Sequence, residues 1–347
     1  LFLENSTMRR AMICHIVFLI IWISGITQEL KFAGIRAYTE NDFLSFIGKN
    51  RDDNYTGGVK FEFITNLFSP IFSGRILNPM KWSPVSQSIS FSVTAFTPQD
   101  LALETIDYCQ RPYASYQSWN LGAAFLKEKN SFSYELSIGA MGKSLAGDAQ
   151  KKIHGEHWFG STRPIPQGWQ YQIANGGALA VNLRLHYEHR LLPLQEASAD
   201  FRWLSATWLH ELNLGQYMIN YLQGLRIYLF NYHHPLPSDY DLPVINAFHR
   251  DEVYKKFSFF CFITPRLKAV IHNATLTGKL LGKSSVYTLP QSDINNAVLE
   301  YDGGMQIRFC SFTIGYNFFG RSREYKNEEQ YFHNWGGFYL AATARWK

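Results

Sequence analysis

Period two dominates this chain. From Val85 to Ala95 the sequence reads VSQSISFSVTA, with apolar residues mostly at odd positions and Ser or Thr between them. Tyr55–Asn66 repeats the pattern, setting Val59, Phe61 and Phe63 against Lys60 and Glu62. In Ala178–Glu188 the set Leu179, Val181, Leu183, Leu185 and Tyr187 opposes Asn182, Arg184, His186 and Glu188. Alternation of this kind marks strands with one apolar and one polar face. Further strands are expected over 29–41, 111–127, 131–142, 199–213, 215–231, 255–274, 297–309, 310–321 and 333–346. The total is about twelve, an even number as in bacterial single-chain barrels.

The segments are ten residues or longer with a fully apolar face, the length a tilted strand needs to cross a hydrocarbon core. The last of them alternates up to Trp346, next to the final residue. The expected fold class is therefore all-β: a transmembrane antiparallel β-barrel whose closure leaves no open sheet edge. The connections 98–110, 143–175, 232–254 and 275–296 are long, while Gly215 follows its strand almost at once. Long and short connections of that sort are expected to alternate as outward loops and periplasmic turns.

Composition narrows the picture further. Aromatic residues make up 16% and charged residues only 18%, which suits the aromatic girdles of a membrane barrel and also an aromatic-rich soluble sandwich. A net charge of +5 without any basic run excludes a nucleic-acid partner. At the start, Arg9 and Arg10 precede the apolar run Ala11–Ile23, with small residues Ser24 and Gly25 after it. That is the layout of a signal peptide, with cleavage expected around Gly25–Gln28. Residues 1–28 are thus read as leader and signal, and 29–347 as one barrel domain. Cys109, Cys261 and Cys310 remain beyond the leader, odd in number and widely spaced, so neither a disulfide framework nor a zinc site is expected.

One stretch breaks the alternation. Gly147–Gln172 reads GDAQKKIHGEHWFGSTRPIPQGWQYQ, and a helical turn would stack Gln150 and His154 on one face. Pro164 and Pro166 end any helix, and Gly168-Trp169 begins the return to extended chain. Taken by itself, this stretch fits a solvated loop histidine better than a catalytic one. Asn41-Asp42 closes the first strand and Asn54-Tyr-Thr-Gly-Gly58 opens the second, so Asp42 and Thr56 are expected near one rim. Turn chemistry accounts for those residue types equally well.

Taken in order, these motifs resemble a known family. Glu40-Asn41-Asp42 is followed by Asp53-Asn-Tyr55-Thr56-x-Gly58 and then Arg111-Pro-Tyr113-Ala114. Gln150-x-x-x-His154, Gly168-Trp169-x-x-Gln172 and Asn273-Ala-Thr275-Leu276-x-Gly278 complete the series. That succession is similar to the outer-membrane lipid A 3'-O-deacylase family. The resemblance implies a twelve-stranded barrel in the bacterial outer membrane, with its active site between the outer wall and a short extracellular helix. The implied activity is calcium-dependent removal of the 3'-linked acyloxyacyl group from lipid A of lipopolysaccharide in the outer leaflet. His154 matches the family's general base, and Asn41, Asp42 and Thr56 its active-site rim, with Gln150 one helical turn before the base. Two departures stand out. A glutamate carried by some members six residues past the histidine falls on Gly160, with Glu156 the nearest acid, and the acid before Arg-Pro-Tyr is replaced by Gln110.

The implied chemistry is coherent. An imidazole that titrates near neutral pH can take a proton from water. A hard cation such as Ca2+, held by oxygens of Asp42 and Asn41, can polarise an ester carbonyl. Lys151, Lys152 and Arg163 flank the histidine and could meet the phosphates of the substrate, or be ordinary solvated charge. Trp169 either orders the return of the loop or faces the lipid headgroups. Two other readings stay open: a non-enzymatic barrel such as a porin or surface protein, and an outer-membrane phospholipase. No G-x-S-x-G elbow supports a serine nucleophile.

Overall fold

A computed structural model describes residues 32–46, 57–65, 82–143, 145–157, 164–191, 201–232, 257–280 and 285–343. The expected leader, Thr56, Gly160 and Arg163 lie outside the described residues. Twelve antiparallel strands close into a barrel. They are β1 (Phe32–Asn41), β2 (Gly57–Thr65), β3 (Ser83–Phe96), β4 (Ala114–Lys127), β5 (Asn130–Met141) and β6 (Ala178–Arg190). The circuit continues through β7 (Phe201–Gly215), β8 (Met218–Tyr232), β9 (Phe257–Asn273), β10 (Ala297–Phe309), β11 (Phe312–Ser322) and β12 (Phe332–Thr343). Each strand pairs with its sequence neighbours, and β1 closes on β12 with Tyr38 opposite Tyr339.

The distribution of burial inverts that of a water-soluble barrel. Ile35, Val59, Phe61, Phe63, Leu179, Val181, Leu299 and Ile307 are exposed on the outside, while Glu62, Asn182, His186, Glu188, Arg226 and Asp302 are buried. An exposed apolar belt is stable where the surroundings are hydrocarbon rather than water. Charges on the inner face are admitted as pairs, since an unpaired buried charge is strongly destabilising. Arg36 meets Glu62 at 2.6 Å, Arg226 meets Glu188 at 3.0 Å and Arg266 meets Asp302 at 2.9 Å.

The connections sort by strand parity rather than by length, which corrects the expected alternation. Each crossing of the wall reverses the rim, so 98–110, 143–175 and 275–296 share one rim, called upper here, while 232–254 follows β8 and belongs to the other. The tight β7–β8 turn after Gly215 sits among the long loops on the upper rim. Two short hairpins at the lower rim turn through Glu128 and Cys310, whose φ angles of 53° place each in the left-handed region.

An apolar layer fills the lumen below the upper rim. Phe96, Tyr116, Met141, Ile173, Ala180 and Ala274 are buried together, with Tyr217 and Trp335 packed against them. The Tyr116 and Tyr217 rings stack at 4.2 Å, and burial pushes the Tyr217 hydroxyl up to about 12. Arg111 lies over the Phe96 ring at 4.5 Å and donates to Glu324 Oε2 at 3.2 Å and to Thr275 Oγ1 at 3.0 Å. Asn273 caps a one-turn helix, α2 (Ala274–Thr277), and its amide also donates to Glu324 at 3.2 Å. The Arg-Pro-Tyr and Asn-Ala-Thr motifs thus converge on a single carboxylate and serve as a lumen cap. Burial alone would raise the Glu324 carboxyl, but Arg321, Arg111 and Lys268 outweigh it and hold that group below the usual carboxylate range.

Candidate active site

The interruption in the alternation folds as the sequence suggests. Leu145–Gly155 forms the helix labelled α1. Ala146, Gln150 and His154 are buried and recur every fourth residue, so they form one face. Lys151 and Lys152 point to solvent. His154 lies in the last turn of the helix.

α1 is clamped to the outside of the wall. Val59, exposed to the outside, pairs with Val93 on β3, and Gly57 pairs with Ala95, so Val93 and Ala95 share the outer face. Ala95 is nonetheless buried, in a cluster with Ala146, Trp169, Tyr113 and Leu101 that also packs on Val93. Two glycines permit this approach. A Cβ at Gly147 would lie 2.9 Å from the Trp169 indole, and one at Gly168 would lie 2.3 Å from the Tyr113 ring. The returning chain is pinned where Ile173 N–H donates to Tyr113 O at 2.8 Å and Ser115 donates to Gln172 Oε1 at 2.8 Å. That accounts for the Gly-Trp-x-x-Gln motif in structural terms.

His154 is 5% exposed, and its Nδ1 sits 2.8 Å from the carbonyl oxygen of Pro164. A carbonyl only accepts, so Nδ1 is the donor in this bond, and a neutral ring held this way carries its lone pair on Nε2. An imidazole fixed in this tautomer is oriented as a base. One turn earlier, Gln150 Oε1 accepts from Trp169 Nε1 at 2.9 Å, and the amide Nε2 of Gln150 is buried without a hydrogen-bond partner. Trp169 is 4% exposed, so its indole acts on the helix rather than on a headgroup layer.

Asn41 and Asp42 sit at the upper end of β1. Asn41 caps the short 3-10 turn Asp42–Leu44, its Oδ1 accepting from Phe43 N–H at 2.7 Å. The same N–H lies 2.8 Å from Asp42 Oδ1, and Asp42 is 1% exposed. Gly57 lies between this turn and α1: a Cβ there would meet Asn41 Nδ2 at 3.0 Å and Glu40 O at 2.8 Å. The row from Asn41 through Gly57 to Ala95 crosses two strand spacings, roughly 10 Å, with a side-chain-free floor in the middle. Asn41 and α1 thus stand on the same outer face of the wall, on either side of Gly57.

In kind, these oxygens fit a hard cation. Asp42 and Asn41 offer a carboxylate and an amide, part of the six to eight oxygens calcium takes. Among the described residues no three His, Cys, Asp or Glu side chains gather at one point, so further ligands would come from backbone carbonyls, substrate or water. Glu156, the acid nearest the vacant family position at Gly160, is exposed. Gln110 has structural work: its Oε1 accepts from Gln99 N–H at 2.6 Å and Asp100 N–H at 3.0 Å, while its amide donates to Asp107 at 2.8 Å. A carboxylate there could not donate to Asp107. The sequence reading missed the Pro164 carbonyl and Glu324. The first carries no side-chain signal, and the second draws Arg111 and Asn273 from segments far away in the sequence.

A family model described as outer membrane protein LpxR matches residues 13–344. Among solved structures, LpxR from Salmonella typhimurium is similar with a TM-score of 0.67 at 13% identity, covering 89% of this chain and 99% of that one. The β-domain of the Bordetella autotransporter BrkA follows at a TM-score of 0.40 and 7% identity, covering 91% of this chain and 99% of that one. No curated protein matches the chain by sequence.

Proposed function

The chain belongs to the LpxR family of outer membrane proteins, and on that footing we propose that it is a lipid A deacylase that removes the 3'-linked acyloxyacyl group. Its location is the bacterial outer membrane. One observation supports the reading: a buried histidine whose Nδ1 lies 2.8 Å from the Pro164 carbonyl, on a helix packed against the outer side of the wall. A site there opens sideways into the outer leaflet, where an ester of a membrane lipid can reach it without leaving the bilayer.

In the proposed reaction His154 Nε2 takes a proton from water, and the resulting hydroxide attacks the ester carbonyl. The tetrahedral intermediate expels the sugar 3'-oxygen, which receives the proton back from the imidazolium. The products are a free acyloxyacyl acid and a lipid A with a 3'-hydroxyl. Calcium, when held by Asp42 and Asn41, supplies positive charge at the developing oxyanion. Gln150, buttressed by Trp169, holds its amide beside the same face of α1. Thr56, next to Gly57 at the head of β2, is assigned to positioning the water. Lys151, Lys152 and Arg163 are assigned to the acidic phosphates of the substrate.

The rival reading of a passive channel finds no support in the lumen. The apolar layer around Phe96, Tyr116 and Tyr217 and the Arg111–Glu324 pair occupy the space a conducting pore would keep wet. Mass spectrometry of lipid A from cells expressing the wild type or His154→Ala, with and without a calcium chelator, tests the proposal. Loss of the 3'-acyl group only with the wild type and available calcium supports it. Unchanged lipid A, from protein folded in the outer membrane, rejects it.

A further inference from the structure

Three upper-rim connections line a cavity of about 390 Å³. Tyr108, Ser285, Tyr287, Asp293, Tyr325 and Asn327 are among its lining residues. The frame is rigid. Tyr287 Oη is 3.0 Å from the Tyr108 carbonyl and 2.5 Å from that of Gln110, fastening the β3–β4 loop to the β9–β10 loop. Lys326 N–H donates to Asp293 O at 2.9 Å and Asn295 N–H to Glu324 O at 2.8 Å, tying in the β11–β12 loop. Below the cavity, Leu276, Tyr287, Leu289, Ile294 and Tyr325 form one apolar cluster, with Ile106 against it.

The chemistry of the walls selects the ligand. Tyr108 stands at the mouth 70% exposed, held edge-on to Tyr287 at 5.1 Å. An open aromatic face beside a carboxylate and an amide matches a pyranose, whose C–H face is apolar and whose rim is hydroxyls. Lysine, arginine and histidine are absent from the described lining, so a phosphate or an acidic sugar would lack a counter-charge. The β3–β4 loop that carries Tyr108 also carries Leu101, which packs under α1. Cleft and candidate active site therefore share a support.

We propose that this cleft binds neutral hexose units of a saccharide at the outer face of the membrane. The saccharide is either the core attached to the lipid A substrate or a separate glycan. The first source rests on the function proposed above.

The test uses the full chain in nanodiscs. One probe is the oligosaccharide released from lipopolysaccharide by mild acid, and the other is maltotriose; binding is read by saturation-transfer NMR. Tyr108→Ala removes the platform, and Asn327→Trp, at an exposed position, fills the cavity. Saccharide binding that weakens about tenfold in both variants is the expected result. Absence of binding by either probe, or binding that neither variant changes, overturns the proposal. A second arm measures ester hydrolysis on core-bearing lipopolysaccharide and on lipid A stripped of core. A Tyr108→Ala defect in KM that is larger on the core-bearing substrate assigns the saccharide to the substrate. Saccharide binding with equal KM changes on both assigns it to a separate glycan. Saccharide binding without any hydrolysis by the wild type leaves the cleft standing and rejects the deacylase reading.

Discussion

Trp169 donates its indole N–H to Gln150 Oε1 at 2.9 Å, tying the returning chain to the helix nineteen residues before it. The bond is buried, and the same indole packs at a tilt against the Tyr113 ring, centroids 5.0 Å apart. Gln150 is therefore oriented from below by a residue with no access to substrate.

Trp169→Phe separates this hydrogen bond from the packing. The buried Gln150 oxygen loses its donor, a change worth about 1–3 kcal/mol. The expected outcome is a folded barrel with kcat reduced about tenfold or more and KM little changed. Heat-modifiable migration on a gel checks folding, and a kinetic assay in mixed micelles separates the two constants. A wild-type kcat would remove Gln150 from the account.

Gly147→Ala places a methyl where the indole ring lies, 2.9 Å from the nearest ring carbon. The helix and the turn that carries Trp169 have to move apart, because the methyl and the ring cannot share that space. Deacylation is expected to fall at least tenfold while the barrel still assembles, since no strand contact is touched. Retained activity with a crystal structure showing α1 unmoved would contradict the clamp.

For His154→Ala, loss of a general base is expected to reduce turnover by about 10²–10⁴. Pro164 contributes only its carbonyl to the same hydrogen bond. Its replacement by alanine keeps that acceptor and is expected to leave far more activity than His154→Ala. Equal losses in the two variants would point to loop conformation rather than proton transfer.

Asp42→Ala removes a carboxylate buried beside Asn41. The calcium concentration for half-maximal activity is expected to rise at least tenfold, equivalent to about 1.4 kcal/mol or more. Chelator should silence the wild type and calcium restore it. Full activity of Asp42→Ala in chelator would dismiss the metal assignment.

Glu324 has its carboxyl depressed in the folded protein, so its stabilising contribution is present above the unfolded carboxylate value and fades as pH falls through the folded one. Glu324→Gln leaves Arg111 buried beside a neutral group, a loss of about 3 kcal/mol at neutral pH. Hydrogen exchange of residues 273–278, followed from pH 7 down to below the usual carboxylate range, measures this. The wild type should keep its protection until pH falls under that range and then loosen, and the variant should already be loose at pH 7. A variant as well protected as the wild type at pH 7 would refute the pairing.

Most of the fold was legible because alternation is a local property: Val59-x-Phe61-x-Phe63 declares its outer face without reference to any neighbour. The rim to which a connection belongs was less legible, since it depends on counting crossings rather than on composition, and residues 232–254 show the difference. At the site, the spacing of Gln150 and His154 announced a shared helical face. The side of the wall on which that face lands was not written locally. It depends on Gly57, Ala95 and Trp169 meeting from three separate segments. Glu324 gave no sign, because its importance comes from Arg111, Asn273 and Arg321 meeting on it in the fold.

The placement of α1 over Val93 and Ala95 also determines what concentration means for this protein. Under the proposed function, a lipid substrate would reach this outer face of the wall from the surrounding leaflet, by lateral diffusion in two dimensions. Encounter then scales with the mole fraction of substrate in the leaflet. Diluting that leaflet with inert phospholipid should slow turnover even when total substrate and protein in the tube are held constant.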